Sequence, residues 1–264
     1  MTSTKPPIPT KLLVLDLQSD NPRKRLEAGL AVGQQAQLSS ALQVSLVDGG
    51  VIPPLVRQLK EYHGQERAQA ATSLARLVKG NAAGQSEVVM AGAVAPLRRQ
   101  LMASTALQRT AAATCISRLV ENNPENQRAF AVEGTARPLI SLLIAETTEE
   151  RTQAAVALGQ MAKGHPENQS RLTESGAVEH LAELLRAEEG LERDCASFSL
   201  ANILDISYDQ VIADISRARE VDVAIQIWNN LLAGRKRLAN IAPPKKNPKF
   251  SFRSNVTSSS NLDS

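Results

Sequence analysis

Three histidines, two cysteines and one acidic run are the residues of this 264-residue chain whose types could do chemistry. A zinc site needs ligands in register, such as a second histidine one helical turn away or a Cys-x-x-Cys pair. His63, His165 and His180 have neither: no ligand stands at i+4 and no paired cysteines lie nearby. Cys115 falls inside "AAATCISRLV", where a small buried hydrophobe is expected and a nucleophile is not. The acids of "AEEGLERD", from Ala187, fall at a loop and a helix start, where they favour the helix dipole. No strand leads into a glycine-rich phosphate loop. These residues predict no catalysis, no metal, no cofactor and no small-molecule substrate.

The elements around them are helical in composition. Apolar residues make up 42% of the chain but aromatics only 3%, which implies an aliphatic, alanine-rich core of closely packed helices. No apolar run approaches the roughly 18 residues of a membrane span, and the N-terminal apolar patch is too short for a secretion signal. Cys115 and Cys195 fall at different phases of the repeat described below, so they are expected as reduced thiols in a cytoplasmic or nuclear protein. The net charge of +3 is uneven, because residues 234–264 carry seven Lys/Arg against Asp263 alone. Everything before them is therefore −3.

A ruler runs through the chain. "GVIPPLVRQL" from Gly50 returns as "GAVAPLRRQL" at Gly92, "GTARPLISLL" at Gly134 and "GAVEHLAELL" at Gly176, each 42 residues on. The glycine suits the end of a short helix, where positive φ is needed. Pro54, Pro96 and Pro138 suit the first turn of the next. Leucines four apart then share one face, as in Leu55/Leu59 and Leu97/Leu101. An alanine-rich segment follows, for example "AATSLARLV" from Ala70 and "AAVALGQMA" from Ala154. A polar turn leads into "PENQRAFAVEG" at Pro124 or "PENQSRLTESG" at Pro166. Each period thus reads as a short, a medium and a long helix, a unit that buries its apolar face only by stacking on copies of itself. Residues 1–7 read as an extension and 8–49 as a degenerate first unit, with Gly29 and Gly33 inside its long helix. Full units follow at 50–91, 92–133, 134–175 and 176–217, then a helical cap at 218–233 containing Trp228 and a basic, Ser-rich disordered tail at 234–264.

These residues resemble the armadillo repeat family: the "GAIPxLVxLL" type corner, the "AAxALxNLA" type long helix and the "ENQ" opening a short helix, over roughly residues 8–220. The resemblance implies an all-α, right-handed α-solenoid of about five three-helix repeats, with a concave groove for an extended segment or helix of a partner protein. In the family, the asparagine of "AAxALxNLA" points into that groove. Its positions here are Gln34, Arg76, Arg118, Gln160 and Asn202. Four residues earlier, where importin-α-like members place tryptophan, stand Leu30, Thr72, Thr114, Val156 and Phe198, so no ladder for lysine-rich targets is expected. Arg76 and Arg118, with Lys79 a turn beyond the first, imply instead an acidic partner, as in β-catenin-like grooves. The function expected is a non-catalytic scaffold or adaptor. The alternative is a nucleic-acid- or membrane-associated factor acting through the tail cations Arg235, Lys236, Arg237, Lys245, Lys246 and Lys249.

Overall fold

The computed structural model describes residues 7–186, 190–218 and 221–239. These residues form sixteen α-helices and no strand. The first unit comprises α1 (Thr10–Leu17), α2 (Pro22–Gln35) and α3 (Ser40–Asp48). Next come α4 (Ile52–Glu61), α5 (Gly64–Leu77) and α6 (Ala82–Met90), then α7 (Val94–Gln100), α8 (Ala106–Leu119) and α9 (Pro124–Val132). They are followed by α10 (Ala136–Leu142), α11 (Thr148–Ala162), α12 (Pro166–Glu174), α13 (Ala177–Leu184), α14 (Leu191–Leu204) and α15 (Tyr208–Ala218). The last helix of the described residues is α16 (Val221–Ala239).

Local chemistry explains the periodic breaks. Gly50, Gly92, Gly134 and Gly176 take φ of +80°, +88°, +77° and +80°, the left-handed region that a side chain strains. They donate their N–H to the carbonyls of Val47, Val89, Ala131 and Thr173, ending α3, α6, α9 and α12. Each short helix starts on a polar cap at a 42-residue interval. The side chains of Ser39, Asn81, Asn123 and His165 accept N–H bonds from the first turns of α3, α6, α9 and α12, and Ser207 does the same for α15. His165 is thus a helix cap standing where other units use Asn or Ser.

The long helices α2, α5, α8, α11 and α14 stack in order, and the medium helices pack beside them. The paired leucines from Leu55 to Leu185 are all buried, as are Ala70, Ala112, Ala154 and Ala196 between the long helices. Two of these contacts are close enough for a side-chain hydroxyl to bond the neighbouring backbone. Ser73 donates to the Gly29 carbonyl and Ser199 to the Ala155 carbonyl, both at 2.6 Å. The equivalent slot in α8 holds Cys115, fully buried, and burial pushes its thiol pKa far up. Gly29 and Gly33 serve the same approach: a Cβ on Gly33 would sit 3.2 Å from Arg76 Cδ.

At the far end α16 lies on α13 and α15. Trp228 is fully buried and donates its Nε1–H to Asp214 Oδ2 at 3.0 Å. One expectation is corrected here. The cap does not stop at 233, because α16 continues to Ala239 and carries Arg235, Lys236 and Arg237 on helical backbone. "LLAGRKRLA" lacks a proline, so an apolar-then-basic run continues the helix past Gly234. Lys245, Lys246 and Lys249 lie outside the described residues.

Candidate functional site

Two ladders of polar side chains hold the long helices in register, and both repeat with the period. The first is arginine near the start of each long helix, at Arg25, Arg67, Arg109, Arg151 and Arg193. Arg25 pairs with Glu66 at 2.8 Å, Arg109 with Glu150 at 2.6 Å, and Arg151 with Glu192. Each of these arginines also donates to two carbonyls of the loop before its own helix, for instance Arg109 to Ala103 and Ser104. Burial raises the pKa of Glu150, but hydrogen bonds from Arg109 and Thr147 outweigh it and hold this carboxyl below its ordinary value. Glu192, read from the sequence as a dipole-favouring acid, is a rung of this ladder.

Arg193, on the last long helix, has Gly234 at the 41-residue step, and between stacked long helices one rung is missing. The residue 41 positions after Arg67 is Gln108, not an acid, and the Arg67 Nε is buried without a hydrogen-bond partner among the described residues. Burial, and then the nearby charge of Arg99, lower the pKa of Arg67.

The second ladder is glutamine. Gln43, Gln85 and Gln127 each donate to two carbonyls at the end of the following long helix, and Gln169 to one. The acceptors include the carbonyls of Arg76, Arg118, Gln160 and Asn202. The backbone carrying the sequence-chosen groove residues is therefore fixed by the short helix before it. Neither ladder was among the sequence expectations, although Arg recurring every 42 residues, with an acid 41 further on at three of the five, was visible there.

The groove residues divide. Arg76, Lys79 and Arg118 come together with Thr72, Thr114 and Gln43 around one open cleft of about 610 Å³. Lys79 is exposed and Arg76 and Arg118 are half-buried. Arg118 reaches Glu121 at 3.3 Å. Arg76 and Lys79 make no side-chain ion pair among the described residues. The other three lie outside the cleft. Gln34 is exposed on α2, Asn202 donates to the carbonyl of Phe198 on its own helix, and the Gln160 Oε1 is buried without a partner.

The histidines have local work. His63 Nδ1 lies 3.1 Å from the Arg67 guanidinium, and His180 Nδ1 lies 2.8 Å from the Gly176 carbonyl. Among the described residues no group of three or more His, Cys, Asp or Glu is placed to hold a metal, and no helix is long and apolar enough to cross a membrane.

No protein-family model matches the chain, and no curated protein does. Solved structures do match. A designed armadillo repeat protein is 22% identical with a TM-score of 0.73, over 84% of this chain and 99% of that one. A second, solved in complex with the peptide (KR)4, is 22% identical with a TM-score of 0.71, over 89% and 93%. The armadillo-repeats-only protein of Plasmodium falciparum is 14% identical with a TM-score of 0.63, over 74% and 92%. Identities this low speak for the fold alone. Three helices per 42 residues, a left-handed glycine at each corner and this agreement in shape make the chain a right-handed α-solenoid of the armadillo type.

Proposed function

We propose that the chain is a non-catalytic scaffold that takes an extended acidic segment of a partner protein along the open face of its long helices. The supporting observation is the cleft in which Arg76, Lys79 and Arg118 gather with Thr72 and Thr114, two of the cations having no counter-ion among the described residues. Exposed main-chain and carboxylate groups of an extended peptide are what such donors bind. The designed relative solved with (KR)4 takes a basic peptide. In this chain Arg76 and Arg118 stand on α5 and α8, which favours a partner of the opposite charge. The two cysteines, both free and buried, support a reducing location, cytoplasmic or nuclear.

The test compares a glutamate-rich peptide with (KR)4 on the full chain and on the Arg76→Glu, Arg118→Glu double variant. The full chain should bind the acidic peptide in a salt-sensitive way and the variant should lose it. Helical circular dichroism should stay intact, because surface charge changes away from buried features move stability by less than about 0.5 kcal/mol. Preference of the full chain for (KR)4 would overturn the charge assignment, and unfolding of the variant would make the arginines structural.

A further inference from the structure

A second basic cleft lies at the other end of α8, and the repeat supplies its own control for it. The slot four residues into α10 and its counterparts is aliphatic in four units: Val14, Val56, Ile140 and Ala182. In the third unit it is Arg98, on α7. Val56, Ile140 and Ala182 are buried there, so the position has no general use for a charge. Arg98 is consequently forced part-way into the medium-helix layer, and its Nε is buried with no hydrogen-bond partner. A buried, unpartnered guanidinium nitrogen costs stability unless a ligand satisfies it.

The surroundings are those of an anion site. Arg98, Arg109 and Arg137 line one open cleft of about 500 Å³, walled on its apolar side by Leu101, Pro138 and Leu142. The cleft shares no residue with the groove cleft. Arg109 is locked by Glu150 and by the carbonyls of Ala103 and Ser104, so it offers a fixed edge but little net charge. Arg98 and Arg137 have no carboxylate partner among the described residues. Two uncompensated guanidinium groups match the charge of about −1.5 to −2 on a phosphate monoester, which also brings three acceptor oxygens. The apolar wall beside them asks for an apolar body next to the phosphate.

We infer that the cleft between α7 and α10 binds a phosphate monoester carried on an apolar group, through Arg98 and Arg137. This does not depend on the groove reading, since the two clefts have different residues. The experiment titrates phenyl phosphate into the full chain in phosphate-free buffer by calorimetry. The comparison set is Arg98→Val, Arg137→Ala and the Arg76→Glu, Arg118→Glu double variant. Arg98→Val restores the residue of the preceding unit and should fold at least as well as the parent, which circular dichroism and melting check. Saturable binding near about 1 mM or tighter is expected, weakened at least about tenfold by either single change and unaltered in the double variant. A phosphotyrosine peptide forms a second arm: tighter binding than phenyl phosphate places the ester on a polypeptide, and equal binding places it on a free small molecule. No saturable binding to the parent, equal binding to folded Arg98→Val, or loss in the groove variant would each overturn the inference.

Discussion

The joint between the second and third units and the joint between the fourth and fifth are built from the same slots and treat charge in opposite ways. At the later joint, Arg151 is neutralised by Glu192 and tied to the carbonyls of Ala145 and Glu146. Gly159 lets Ser199 close on α11, and Ser199 bonds the Ala155 carbonyl. At the earlier joint the position in register with Arg67 holds Gln108, and the outward residues Arg76, Lys79 and Arg98 have no carboxylate partner among the described residues. The later joint ties its rung arginine inside the stack. The earlier joint leaves its rung arginine without an acid, beside cations that stay open to a ligand.

The largest effect should come from removing the arginine of a completed rung. Arg151→Met leaves Glu192 without its partner and two loop carbonyls unbonded, which should cost about 3 kcal/mol in denaturant unfolding. Arg67→Met at the incomplete rung strands no carboxylate and should be neutral or stabilising. Equal losses at both sites would erase the contrast between the joints.

Helix spacing gives the next largest difference. A Cβ on Gly159 would fall 2.8 Å from the Ser199 Cα, and backbone cannot swing away. Gly159→Ala should therefore lose about 2 kcal/mol through overpacking. On Gly33 the nearest atom is Arg76 Cδ at 3.2 Å, part of a flexible side chain. There, the roughly 1 kcal/mol helix preference of Ala over Gly should leave stability unchanged or raised. Thermal melts of the two variants decide it, and a Gly159→Ala protein as stable as its parent would refute the close approach.

The smallest change should sharpen the comparison by completing the missing rung. Thr105 already donates to Gln108, as Thr147 does to Glu150. Gln108→Glu should give the orphaned Arg67 Nε a carboxylate and add about 1 kcal/mol at neutral pH. A carboxyl held below its unfolded value stabilises only above that value, so the gain should fade as pH drops below about 4. A gain that persists at low pH, or no gain at neutral pH, would show that Arg67 is not waiting for an acid.

How much of this could be read in advance differs from feature to feature. The corner glycines, the proline slots and the leucine pairs are local requirements of φ, missing N–H groups and one buried face. They repeat in the sequence because every unit meets the same requirement, and the solenoid followed from them. Trp228 stood out as the one tryptophan of the chain, and it is fully buried against α15 through its bond to Asp214. The extent of α16 was not legible: nothing near Gly234 except helix propensity decides where the helix gives way, and the charge change at Arg235 resembled a boundary without being one.

The sequence by itself determined the period, the helices and the candidate slots at Arg76 and Arg118, because these depend on spacing along one chain. Only the tertiary structure decided which cations are available. Arg67, Arg109 and Arg151 occupy one slot and look alike in sequence, yet two are neutralised and one is orphaned, according to a residue 41 positions away across a helix contact. Arg98 likewise reads as a surface charge until the medium helices are stacked and its nitrogen is found buried. Charge is a property of one residue. Its compensation depends on neighbours that only packing brings within hydrogen-bonding distance.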